Sequence, residues 1–269
     1  MTYCVGLSLD QGLVMASDSR TNAGVDYISS FSKLHLFQPG PDRLFVLLAA
    51  GNLATTQEVL SRIRRDLDQA LTRDPSVGAP SQTLLSVSYL FEAATYVGQV
   101  SLAVQNEHGP ALRQVGAGVE ATFLLGGQIA GQPPGLYLIY PQGNWMTATP
   151  ETPFLQIGES KYGKPALDHI VHPGLSLEDG ARVCLVSLVG TARSNLTVGP
   201  PYEVAICPRD LFAPSLRLRL EADSEELRSL TQGWSERFRE AFYGLPRFPW
   251  EQPFIATDGD SESPPQMLA

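Results

Sequence analysis

The sequence predicts an α+β fold, a sandwich of sheets with helices on the outside. Three observations carry this. Strand-like segments come first, then a pair of helical segments, then more strands and more helices, an order that suits stacked layers. The 269 residues are 43% hydrophobic and show no internal linker, enough for one core, although the length alone would allow two domains. The chain also opens on two apolar runs separated by a turn signal, the pattern of a hairpin.

Thr2 to Leu9 alternates as a strand, Asp10-Gln11-Gly12 is the turn, and Leu13 to Ser17 is the second strand, which returns Asp18 toward Thr2. Lys33-Leu34-His35-Leu36-Phe37 and Leu44 to Leu48 read as the third and fourth strands. Ala49-Ala50-Gly51-Asn52 then opens a helix over about 53–73, and a second helix is expected over 82–106, across the loop Asp74 to Pro80. Strands follow near 119–126, 135–140, 144–148 and 153–157, and helices near 160–171 and 177–189. The pattern closes with strands near 202–208 and 215–220 and a helix near 223–243. From Pro246 the composition turns to proline and acid, so 1–245 reads as the folded domain and 246–269 as a disordered tail. Phe248, Trp250 and Phe254 would let that tail dock on a neighbour instead.

Thr2 is the candidate nucleophile. Met1 is expected to be removed, because initiator-processing aminopeptidases accept a following threonine. Thr2 then carries a free α-amine beside its own hydroxyl, a nucleophile and a base on one residue. Such an amine titrates at roughly 7.7–8.0 and can take a proton at working pH. Taken alone, Thr2 reads better as the first residue of an edge strand.

Four ordered motifs add to Thr2. They are Thr2…Val5-Gly6, Ser17-Asp18-Ser19-Arg20, Lys33 before an apolar-aromatic run, and Ala50-Gly51 before the first helix. Together they resemble the proteasome-type threonine peptidases among the N-terminal-nucleophile hydrolases. The resemblance implies a four-layer αββα sandwich of two antiparallel sheets flanked by helices. It also implies roles. Lys33 as an ammonium beside Thr2 lowers the cost of an alkoxide, and Asp18 holds Lys33 charged and in place. Gly51 leaves room for the bound carbonyl and offers a backbone N–H near a helix N-terminus to the oxyanion. The simpler readings are an ion pair for Asp18 and Lys33 and a turn glycine for Gly51.

Three phrases narrow the resemblance: residues 17–26, 157–165 and 193–201 are similar to the bacterial Anbu proteins, the ancestral beta subunits, over about residues 1–250. That branch carries no propeptide, and none is expected here. Two departures stand out. The family's Gly-Ser-Gly before the third helix is Gly158-Glu159-Ser160 here, so Ser160 is the hydroxyl candidate, one position out of register, with Glu159 as the other occupant. An aspartate is expected near Val189 and is missing, although Ser194 remains as the following hydroxyl.

Composition limits the partners. With 19 basic and 28 acidic residues the net charge is −9, which argues against nucleic acid and anionic membrane. No signal peptide or bilayer-length apolar run is present. Cys4, Cys184 and Cys207 are odd in number and scattered, which suits a reducing cytoplasm and offers no metal pattern. No cofactor or metal is expected. Asp168-His169…His172 reads as ordinary histidines, since a metal site wants more ligands. Gly163-Lys164-Pro165 lacks phosphate-loop spacing. Arg62-Ile63-Arg64-Arg65 reads as a solvated or subunit-facing helix surface.

The functional expectation is a threonine-type endopeptidase acting on peptides or unfolded protein, cytoplasmic, and assembled as a large homo-oligomer. Two alternatives share the fold: an amidase of a small metabolite, and a catalytically weak scaffold subunit. The apolar stretch Leu84 to Ala94 is expected to pack partly on a neighbour. An ATPase partner is not legible.

Overall fold

A computed structural model of the chain describes residues 2–22, 28–72 and 82–251. The chain divides into two compact units, one running to Thr231 and the other beginning at Gln232.

The first unit holds two five-stranded antiparallel sheets. One has the order β10-β1-β2-β11-β12, from β1 Tyr3–Leu9, β2 Gly12–Asp18, β10 Phe154–Gly158, β11 Tyr202–Pro208 and β12 Leu216–Leu220. The other runs β5-β6-β7-β8-β9, from β5 Leu34–Gly40, β6 Arg43–Gly51, β7 Ala121–Ile129, β8 Gly135–Ile139 and β9 Trp145–Thr147. The helices are α1 Leu53–Thr72, α2 Leu90–Gln114, α3 Lys164–Ile170 and α4 Leu177–Ser194, followed by α5 Glu225–Tyr243.

Strand alternation builds the layers. In β1 and β2 the residues Tyr3, Val5, Leu7, Val14 and Ala16 pack under α3 and α4, while Cys4, Leu13 and Met15 face the other sheet. In β6, Phe45, Leu47 and Ala49 pack under α1 and α2, while Leu44, Val46 and Leu48 turn inward. Three apolar layers between four structural layers give the αββα sandwich. Strands buried on both faces explain why their sequences are nearly continuous apolar runs.

The structure departs from the sequence reading in several places. A short hairpin, β3 Arg20–Asn22 with β4 Ile28–Ser30, lies between β2 and β5 and was not anticipated. The second helix starts at Leu90, not near 82. Upstream, Thr83 and Ser86 close a turn (Ser86 N to Thr83 O, 3.0 Å; Thr83 N to Ser86 Oγ, 2.9 Å), and the Glu92 carboxylate takes the amides of Ser88 and Tyr89. Local Ser/Thr bonding of this kind competes with helix formation. α2 then continues through Pro110 to Gln114. Within Leu84 to Ala94, Leu84, Val87, Leu90, Ala93 and Ala94 are buried in this subunit's own core. Only the stacked pair Tyr89 and Phe91, 5.6 Å between ring centres, stays outward among its large apolar residues.

In the second unit, Trp234 stacks on Phe238 and Phe248 on Trp250, and Pro249–Glu251 forms a 3-10 turn. Met1, the loop from Asp74 to Pro80, and the tail from residue 252, including Phe254, lie outside the described residues. No helix among the described residues is long and apolar enough to cross a membrane.

Candidate active site

The hairpin register places Cys4 opposite Ser17, so the next residue, Asp18, comes up beside the start of β1. The Tyr3 amide donates to Asp18 Oδ1 at 3.0 Å. Lys33, one residue before β5, donates from Nζ to the same oxygen at 2.6 Å and to the Arg20 carbonyl at 2.7 Å. The Gly199 amide takes the other carboxylate oxygen at 3.2 Å. Asp18 is fully buried and Lys33 is 6% exposed. Burial pushes the Asp18 carboxyl pKa upward, and the Lys33 ammonium and the two amides oppose that shift. An ammonium on one sheet is thus anchored to the residue next to Thr2 on the other.

Thr2, Lys33 and Gly51 line one cavity of about 350 Å³, which extends along α1 past Thr56 and Leu60 to Arg64. Gly51 ends β6 at φ +117°, where a side chain would overlap the Glu120 carbonyl oxygen, so only glycine fits. The Asn52 carboxamide oxygen accepts the Thr55 amide at 3.1 Å and caps α1 beside the cavity. At the end of β10, Gly158 has φ +81°, and a Cβ there would run into the Thr2 carbonyl oxygen. That carbonyl accepts the Glu159 amide at 2.8 Å. Thr2 is held by its main chain, and its side chain is left on the cavity.

Neither a protein-family model nor a curated protein matches the chain. Solved structures do. An Anbu (Gly-1) mutant from Hyphomicrobium sp. strain MC1 is 41% identical with a TM-score of 0.82, covering 92% of this chain and 99% of its own. Anbu, the ancestral beta-subunit, from Yersinia bercovieri is 42% identical at a TM-score of 0.81, covering 91% and 98%. The helical assembly of the Anbu complex from Pseudomonas aeruginosa is 41% identical at 0.82, covering 92% and 98%. The chain belongs to the Anbu family. Its fold is that of the proteasome-like N-terminal-nucleophile hydrolases.

Against the Anbu resemblance, the two hydroxyl candidates fare differently from the other four residues. Ser160 is half-buried, hydrogen-bonds through its main chain alone among the described residues, and does not line the cavity. Glu159 fills the buried position instead, at 5% exposure, with its carboxylate accepting the Asn195 carboxamide at 2.9 Å. Ser194 is exposed at the last turn of α4 and also does not line the cavity. The residue that reaches inward is its neighbour Asn195. Val189, on α4 itself, is half-buried and packs against the core under that helix.

Several positioning residues of this Anbu chain carried no sequence signal as singles. The segment Asn195 to Gly199 wraps the site: Arg20 donates to the Leu196 carbonyl at 2.8 Å, and Ser19 Oγ to the Pro201 carbonyl at 2.8 Å. Only the family phrases 17–26, 157–165 and 193–201 pointed there. Beneath Thr2, the Tyr3 hydroxyl joins Ser187 Oγ at 2.6 Å and Gln156 Nε2 at 2.5 Å. All three cysteines are buried and unpaired, and burial pushes the thiol of Cys4 far up, so it stays protonated.

The other candidates fall into place as structure. Lys164 pairs with Asp168, and Arg65 with Asp66. The three groups Glu58, Glu107 and His108 approach within 4.8 Å, but Arg62 bridges both carboxylates, so the cluster already contains a cation. The basic run is therefore not one surface. Ile63 is core, Arg62 and Arg65 are paired, and Arg64 lines the cavity.

Proposed function

We propose that this Anbu chain is a threonine-type peptidase subunit that hydrolyses peptide bonds through Thr2 after removal of Met1. One observation carries the reading: Thr2 shares a cavity with Lys33 and Gly51, and Asp18 binds both Lys33 and the amide next to Thr2. The Thr2 hydroxyl adds to the substrate carbonyl, and its proton passes to the Thr2 amine. The Gly51 N–H and the Lys33 ammonium stabilise the oxyanion. Collapse breaks the C–N bond, the leaving amine takes the proton, and an ester on Thr2 remains. Water then adds, again with the Thr2 amine as base, and releases the acid and the free hydroxyl. Asp18 keeps Lys33 charged, and Glu159 with Asn195 holds the Thr2 carbonyl strand in place.

The catalytic unit is assigned to residues before Pro246, with 246–269 as an accessory tail. Buried reduced thiols suit a cytoplasmic enzyme. The helical assembly of the Pseudomonas aeruginosa relative supports self-association here. A subunit of slow turnover is the second reading, favoured by the absence of an aspartate at or near Val189, where the resemblance to the peptidase family implies one.

The test is the intact mass before and after an epoxyketone or β-lactone. Loss of Met1 and an adduct on Thr2 are expected. Hydrolysis at equal rates by protein that retains Met1 refutes the mechanism.

A further inference from the structure

We infer that the cavity beside Thr2 selects an acidic side chain on the residue whose carbonyl is attacked, with Arg64 as the specificity-determining residue. The inference rests on the peptidase reading and adds the substrate class.

The cavity is basic in an acidic chain. Aspartate and glutamate outnumber lysine and arginine by 28 to 19, yet none of the described residues that line this space is a carboxylate. Among the described residues its basic side chains are Lys33, His35 and Arg64. Lys33 is already matched by Asp18. Arg64 is not matched: unlike Arg62 and Arg65 in the same helix turn, it forms no ion pair or side-chain hydrogen bond among the described residues. Arg217, on β12, likewise has no ion pair among them. Burial chiefly, and then Arg64 and Arg217, hold the His35 imidazole down at about 4. Arg64 is thus a charged group on the cavity with no counter-charge among the described residues.

Helix geometry sets the reach. Leu53, Gln57, Leu60 and Arg64 recur at three- and four-residue spacing on the cavity face of α1. Eleven residues at 1.5 Å each put Arg64 about 16 Å along the helix from Leu53 beside Gly51. Side chains on a helix lean toward its N-terminus, so the long Arg64 stem carries the guanidinium back along the face of Leu60 toward Gln57, and the end of a short acidic side chain that enters beside Leu53 meets it there. A carboxylate at that end gains a charge-assisted, forked hydrogen bond, and a cationic end meets repulsion.

Three N-acetyl tetrapeptide coumarylamides, identical except for a final Glu, Leu or Arg, decide the matter. They are run as substrates and as competitors of the Thr2 β-lactone adduct, so slow turnover still reports an order. The expected order is Glu over Leu by about 10-fold or more in kcat/KM, with Arg last. Arg64→Gln levels the Glu advantage, and Arg64→Glu places Arg above Glu. Each ratio is internal to one protein, so partial misfolding of a variant leaves it unchanged. Leu equal to or above Glu in the unaltered chain overturns the inference while the peptidase reading stands. So does a ratio that both Arg64 variants leave intact, including the case in which they change only the light-scattering mass because Arg64 pairs with a neighbouring copy. If no peptide is cleaved or competes and no Thr2 adduct forms, the peptidase reading fails and the specificity falls with it.

Discussion

Replacing Lys33 with methionine removes the cation bound to Asp18 and keeps the aliphatic stem. Both members are buried, Asp18 fully and the Lys33 side chain to 7% exposure. Removing one partner of a buried pair costs about 3–5 kcal/mol, because a charge is left without compensation. Asp18 keeps the Tyr3 and Gly199 amides, so the lower end, about 3 kcal/mol, is expected at pH 7. With a urea m-value of about 2 kcal/mol/M, the midpoint moves down by about 1.5 M. The pH dependence has a definite sign. Burial already raises the Asp18 carboxyl above its ordinary 3.8, and loss of the ammonium raises it further. A raised carboxyl favours the native state below its unfolded pKa and loses that advantage as pH rises through the folded value. The deficit of Lys33→Met therefore shrinks as pH falls from 7 toward 4. Adding Asp18→Asn recovers most of the stability and none of the Thr2 adduct, whose formation slows by about 10²–10³ in either variant. A midpoint within about 0.2 M of the unaltered chain at pH 7, or a deficit that grows on acidification, refutes the reasoning.

Thr2→Ala abolishes adduct formation and leaves unfolding within about 0.5 kcal/mol, since the side chain is half-buried and its main chain does the holding; adduct on another residue would remove Thr2 from the mechanism. Gly158→Ala forces a Cβ into the Thr2 carbonyl at a positive φ and is expected to lower stability by about 1–3 kcal/mol and slow the adduct; an unchanged melting curve contradicts the geometry. His35 sits at about 4 against an ordinary 6.5, so its neutral form belongs to the native state. The stability it contributes is complete above pH 6.5 and is lost as pH falls toward 4, up to about 3 kcal/mol less what solvent screens; His35→Gln should flatten that part of the pH–stability curve, and a curve that stays steep assigns the loss to another group. Light scattering at micromolar protein should give a mass several-fold above the 29.2 kDa chain; a monodisperse monomer defeats the proposed assembly.

The strand and helix order was legible because most elements carry their own period. Both sheets, α1, α4 and α5 stand within a few residues of their sequence bounds, α4 running five residues longer. The hairpin β3–β4 was not legible, since three-residue strands show no alternation to read. The start of α2 was misplaced because Thr83 and Ser86 satisfy their own backbone locally, which an apolar pattern does not register.

By itself the sequence determined the order of strands and helices, a sandwich of sheets with helices outside, and the hairpin that returns Asp18 toward Thr2. These follow from alternation and turn residues, both local in physics, while the αββα layering and the meeting of Thr2, Lys33 and Gly51 were legible through the resemblance to the threonine peptidases. Tertiary structure alone decided that Glu159 and Asn195, rather than Ser160 and Ser194, turn inward, and that Arg64 separates from its paired neighbours to face the cavity. Side-chain direction at a strand end or the last turn of a helix depends on which distant segment packs against it, and a one-position difference there exchanges a buried group for an exposed one.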